Sequence, residues 1–127
     1  MASDSEKQSK KRLTKEALRD SLDRAGKDFA KAAHARDGVI ALHLSGAGGG
    51  EYVVHRSGSK VTVSEGSVGS DEAPRFEVFA SAAQINDILA GEVNPRDEFL
   101  KGEMRVRGDL TYLSDLAVEL GILEEPL

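Results

Sequence analysis

The chain has 127 residues and a mass of 13.6 kDa; with 39% hydrophobic and 31% charged residues it reads as one folded domain, neither disordered nor membrane-spanning. A net charge of −5, a pI near 5.2, no tryptophan and 5% aromatic content argue against nucleic-acid binding, which needs cations for phosphates and rings for bases. The absence of cysteine excludes disulfides, a thiolate nucleophile and a cysteine metal site, and makes the cytoplasm the simplest address.

Residues 1–12 carry Lys7, Lys10, Lys11 and Arg12 with no apolar run behind them, so they read as a flexible basic tail and not a secretion signal. Residues 13–127 read as a single domain. From Leu13 to about Arg36, Leu18, Leu22, Ala25, Phe29, Ala32 and Ala33 recur at steps of four and three, one apolar stripe of a helix. Thr14 is its expected N-cap and Gly38 its expected stop. The stripe is shorter than three heptads, so it reads as a face packed on the protein's own sheet, not as a dimer seam.

Residues 38–66 alternate β-branched and apolar residues with polar ones between glycine-rich turns, the pattern of an antiparallel meander. Centring the SGAGGG loop on Gly48 sets Leu42 opposite Val54 and Leu44 opposite Tyr52. That register puts Ile40, Leu42, Leu44, Tyr52 and Val54 on the core face and leaves Ala41, His43, Val53 and His55 on the other. A third strand, Lys60 to Ser64, follows the turn at Ser57–Ser59, with Val61 and Val63 on one side. Residues 66–74 read as an acidic surface loop. RFEVFA is a fourth strand in which Phe76, Val78 and Ala80 alternate with Glu77 and Phe79.

Ser81 and Gln84 form a capping box for a helix whose buried face is Ile85, Ile88 and Leu89 and which stops at Gly91. Asn94 then caps a short helix opened by Pro95, with Asp97 and Glu98 at its positive end, Lys101 at its negative end and Gly102 closing it. Met104 and Val106 alternate with Glu103, Arg105 and Arg107 as a fifth strand. Gly108 turns the chain, and Asp109 caps a last helix with the stripe Leu110, Leu113, Leu116, Ala117 and Leu120, closed by Gly121.

Catalytic constellations are thin. Gly46, Gly48, Gly49 and Gly50 suggest a phosphate loop, but Glu51 stands where a glycine is needed and a strand follows, so a hairpin tip fits better. His43 and His55 share a face without a third metal ligand. The acidic pairs Asp71-Glu72, Asp97-Glu98 and Glu124-Glu125 are adjacent in sequence, so their carboxylates diverge. The expectation is a protein with no catalytic residues, metal or cofactor.

The span LAGEVNPRDEFLKGEMRVRGDL, residues 89–110, resembles the sterol carrier protein type 2 family. It has that family's Gly, two residues, Asn-Pro, three residues, Phe, Gly and an alternating strand ending in Gly, while RFEVFAS and YVVHRSGSKVTV stand where the family has strands. The resemblance runs from about Leu13 to Leu120. It implies an α+β fold, a five-stranded mostly antiparallel sheet with helices covering one face, and an apolar cavity between the layers that takes a lipid. The expected lining from the sheet is Leu42, Leu44, Tyr52, Val54, Phe76, Val78, Met104 and Val106. Ile85, Ile88, Leu89 and Phe99 join from the middle helices, and Leu113, Leu116 and Leu120 from the last one. These residue types suit a solid core equally well.

Glu98 and Glu103 depart from the family's usual small residue and Lys, and Tyr52 from its usual Trp, so the resemblance speaks to fold more than to ligand. The EEPL ending is unlike the peroxisomal one of eukaryotic members and points to a freestanding bacterial-type cytoplasmic protein. The expected function is non-catalytic carriage of a long hydrophobic ligand: a fatty acid, acyl-coenzyme A, sterol-like or isoprenoid lipid. Burying a sixteen-carbon chain gains about 12 kcal/mol before ordering costs. Arg105 and Arg107 are candidates to meet an anionic headgroup. The alternative is an interaction module that docks on a lipid- or quinone-processing enzyme or self-associates. A transient membrane or enzyme partner fits either reading, and the oligomeric state stays open.

Overall fold

The computed structural model describes residues 13–69 and 71–127; the basic tail expected at residues 1–12 lies outside them. Helix α1, Lys15–Lys31, starts where Thr14 Oγ1 accepts the Ala17 amide hydrogen. It buries Leu18, Leu22, Gly26 and Phe29. The helix stops five residues short of the expected end, with Ala32 already extended. The cause is tertiary. Beyond Ala32 the amides of Ala33 and His34 donate to the Glu119 carboxylate, and the Arg36 amide donates to the Tyr112 hydroxyl at 2.8 Å. These acceptors replace the carbonyls of a further helical turn.

Strands β1 (Gly38–Ser45), β2 (Gly50–Ser57), β3 (Lys60–Glu65), β4 (Phe76–Ser81) and β5 (Arg105–Gly108) form one sheet in the order β3-β2-β1-β4-β5. Only β1 and β4 run parallel; the other three pairs are antiparallel. The β1–β2 hairpin pairs Leu42 with Tyr52 and Ile40 with Val54, two residues away from the expected register. Its turn is centred on Ala47, with left-handed Gly46 and Gly48 and the Gly49 amide donating to the Gly46 carbonyl at 3.0 Å. Gly49 is required there, because a Cβ would sit 2.3 Å from the Leu44 carbonyl oxygen. A slip of two keeps each side chain on its face, so the expected core face of β1 and β2 survives the changed pairing.

The connecting helices follow their caps. Helix α2, Ala82–Leu89, carries the Ser81–Gln84 capping box, with both reciprocal hydrogen bonds at 2.8–3.0 Å. Helix α3, Pro95–Leu100, is capped by Asn94, and α4, Leu110–Glu119, by Asp109. The stripe of α4 differs from expectation at its start: Leu110 is exposed, and Tyr112 takes the buried position, its ring edge-on to Phe76 at 5.9 Å. Tyr112 wins because its hydroxyl finds the Arg36 amide, which a leucine cannot bind. One apolar core joins the stripes of α1, α2 and α4 to the inner face of the sheet.

Candidate ligand cavity

The two layers do not fill the space between them. A cavity of about 190 Å³ remains, with an almost wholly apolar lining. Its floor is Ile40 and Leu42 of β1, Val54 of β2, Phe76 and Val78 of β4, Met104, and Val106 of β5. Helix α1 contributes Leu22, Ala25, Gly26 and Phe29; α2 contributes Ile85, Ile88 and Leu89; Leu113, Leu116 and Ala117 come from α4, with Leu120 just beyond it. Pro95 and the segment after α4, through Ile122, Leu123 and Leu127, complete the wall.

Gly26 belongs to this wall for a steric reason. A Cβ there would stand 3.2 Å from Val61 Cγ1, so the missing side chain lets α1 lie close against edge strand β3. The last segment is fastened from two sides. The Leu127 amide donates to Ser114 Oγ at 2.7 Å, and the Arg96 guanidinium donates to the carbonyls of Glu125 and Pro126.

Twelve of the expected lining positions lie on this wall: Leu42, Val54, Phe76, Val78, Ile85, Ile88, Leu89, Met104, Val106, Leu113, Leu116 and Leu120. Leu44, Tyr52 and Phe99 do not. Leu44 and Tyr52 are buried towards the tip of the hairpin, where Tyr52 borders a surface hollow with Lys15 and Arg19 of the first turns of α1. Phe99 borders a separate groove along β5 with Phe79 and Met104. The α1 residues Leu22, Ala25 and Phe29 were visible as a helical stripe without a sign that they meet a void. The chain after Gly121 has no periodicity that would place it there.

Arg105 and Arg107 fall on the opposite face of the sheet from the cavity, since Met104 and Val106 take the inner side. The Arg105 guanidinium lies 5.3 Å from the centre of the Phe79 ring. His43 stacks on Phe79 with ring centres 4.4 Å apart, hydrogen-bonds Glu51 through Nδ1, and reaches Glu77 Oε1 through Nε2 at 2.9 Å. Partial burial pushes its pKa down, but the hydrogen bonds to Glu77 and Glu51 outweigh this and hold it above 6.5. Each ring nitrogen thus has its own carboxylate, and no group of three metal-capable side chains occurs among the described residues.

The model of the SCP-2 sterol transfer family matches residues 15–118. The chain belongs to that family. Among solved structures, the crystal structure of sterol carrier protein 2 like 2 from Aedes aegypti is similar at 19% identity and a TM-score of 0.61, over 80% of this chain and 94% of that one. The solution structure of palmitated SCP2L2 from the same mosquito gives 17% identity and 0.62, over 91% and 99%. The UbiJ-SCP2 ubiquinone synthesis protein gives 15% identity and 0.55, over 76% and 77%. No curated protein matches the sequence. Within this SCP-2 fold, the span that carried the resemblance is mostly scaffold: Asn94, Gly102 and Gly108 set caps and turns, while Leu89, Pro95, Met104 and Val106 reach the cavity. None of the helices described is long and apolar enough to cross a membrane.

Proposed function

We propose that this SCP-2 protein is a non-catalytic cytoplasmic carrier that shields a long apolar ligand in the cavity between sheet and helices. The observation that carries the reading is the carbon-lined hollow itself, because close packing normally leaves no such space in a domain of this size. An empty apolar cavity forfeits dispersion contacts that a hydrocarbon tail restores, so occupancy stabilises both partners. At about 190 Å³ the cavity is smaller than a typical drug-sized site, so the ligand enters as a narrow chain or the layers part to admit it. The segment after α4 is the movable wall in this reading: its last residues are fastened by the hydrogen bonds of Leu127 with Ser114 and of Arg96 with the Glu125 and Pro126 carbonyls, and not by secondary structure.

The test is titration of the delipidated protein with a fluorescent long-chain fatty acid. Saturable binding at micromolar concentration or tighter, displaced by unlabelled ligand, is expected. The absence of saturable binding at that concentration would overturn the reading. The second reading, docking on a lipid- or quinone-processing enzyme, draws on the likeness to the ubiquinone synthesis protein, which is a likeness of fold. The large exposed hydrophobics described, Leu100, Leu110 and Leu127, sit on three different segments and favour carriage over docking.

A further inference from the structure

The sheet ends in two edge strands, β3 and β5, and their backbones are guarded differently. Helix α1 lies against β3, close enough that a Cβ at Gly26 would stand 3.2 Å from Val61 Cγ1, and the Arg19 guanidinium donates to the Val63 carbonyl. The edge of β5 is open. The Asp109 amide donates to the Arg75 carbonyl at 2.9 Å, which makes these two a hydrogen-bonded pair of the antiparallel ladder, and with them Arg107–Glu77 and Arg105–Phe79. Val106 falls between bonded pairs, so its amide and carbonyl turn away from β4, and neither has a partner among the described residues.

Beside this edge runs a groove of about 360 Å³, lined by Phe79, Phe99, Met104 and Val106 and by the arginines Arg105 and Arg107. Arg105 rests on the Phe79 ring, and neither arginine forms an ion pair among the described residues. Glu77, the cross-strand neighbour of Arg107, is engaged by His43. We propose that β5 is a docking edge for an extended acidic peptide of a partner protein, which joins the sheet as a further strand with carboxylates beside Arg105 and Arg107 and apolar residues at the alternate positions.

An outward amide and carbonyl on one residue are what an added strand pairs with, and side chains flanking that residue choose the strand. Arg105 and Arg107 stand on one face of β5, Met104 and Val106 on the other, so a matching chain alternates acidic with apolar residues. A guanidinium without an ion pair gives up no existing partner to bind a carboxylate. Charge also decides against a second copy of this chain: antiparallel pairing of two β5 strands about Val106 sets Arg105 opposite Arg107 twice over, and like charges so placed repel. The two cations of this short strand thus ward off its own kind and admit an anionic one. The proposal does not depend on the carrier reading, and docking through backbone and charge needs no large apolar patch.

A short capped peptide alternating glutamate and valine, and its lysine-valine counterpart, are titrated into the isotope-labelled full chain at low ionic strength, as wild type and as the double variant Arg105→Glu, Arg107→Glu. Both arginines are exposed, so an unchanged melting temperature of the double variant shows that the fold is kept. Wild type should bind the glutamate peptide saturably at submillimolar concentration. At saturation the hydrogen exchange of the Val106 amide should slow at least tenfold, while that of the Arg105 and Arg107 amides, already bonded to β4, stays as it was. The double variant should lose the glutamate peptide by about tenfold and gain the lysine one. If that variant melts lower, Arg107→Gln, which breaks no hydrogen bond or ion pair described, should still weaken the glutamate peptide about threefold. No saturable binding at millimolar peptide, an unslowed Val106 amide, or variants that bind both peptides as wild type does would overturn the proposal. So would a dimer in which the Val106 amide is protected without peptide, which gives the edge to a second copy, or binding to phosphatidylserine vesicles with no response to peptide, which gives the arginines to a membrane surface.

Discussion

At the scale of single residues, the side chains that tie distant segments together are polar ones whose roles no local pattern shows. Glu119 accepts two backbone amides of the α1–β1 connection, and those bonds, led by that from His34, hold its pKa below the usual carboxylate value. His43 clasps Glu51 on β2 and Glu77 on β4 from its place on β1. The two groups work in opposite directions with pH. The His43 pKa is higher folded than unfolded, so its stabilisation is complete below about 6.5 and is lost as pH rises through the folded value. The Glu119 pKa is lower folded, so its stabilisation is present above about 4.5 and is lost as pH falls. Denaturant unfolding across this range should show stability declining on the alkaline side in wild type. His43→Gln should flatten that decline and leave the acid side as it was. An unchanged alkaline slope would mean the imidazole carries no net charge in the clasp.

At the scale of elements, α1 shows how a helix trades intrinsic propensity for position. Glycine inside a helix costs about 1 kcal/mol relative to alanine, yet Gly26 sits mid-helix where a Cβ would press on Val61 at 3.2 Å. The obstructing atom is the end of a side chain on an edge strand, which can give by a few tenths of an ångström. Gly26→Ala should therefore leave thermal stability unchanged or slightly raised. The added methyl faces Val61 and Val63 of β3, neither of which lines the cavity, so fatty-acid binding in the same titration should be unchanged. A fall in melting temperature of several degrees would show instead that α1 cannot move and that the close approach is indispensable. The helix caps behave differently: Thr14, Ser81, Asn94 and Asp109 each accept the amide foreseen from their spacing, because capping is a contact between near neighbours in sequence.

At the scale of the whole molecule, the cavity makes stability and binding separable. Val78 points into it from the middle of β4, and Val78→Phe puts a ring where there is now space. Filling an apolar void adds dispersion contacts without removing others, so the melting temperature of the ligand-free protein should hold or rise. Fatty-acid binding should fall at least tenfold. In a solid core the same substitution would overpack, costing about 1–3 kcal/mol. The sign of the stability change thus reports whether the interior is hollow in solution, independently of any ligand.

By itself the sequence specified nearly every element, its caps and the inward face of each strand, because these depend on spacings of two to four residues along one chain. The 89–110 motif went further and named the family, since its glycines and Asn-Pro pair mark turns that this fold needs. The length of α1, the centre of the SGAGGG turn, the choice of Tyr112 over Leu110, and the parting of Leu44, Tyr52 and Phe99 from the cavity were decided only in three dimensions. Each turns on groups brought together from remote parts of the chain: Glu119 under the end of α1, Arg36 above Tyr112, the last segment laid over α4. A void has no residues of its own. It is the volume left when helices of given bulk settle on a sheet at a given distance, and no single stretch of sequence records that distance.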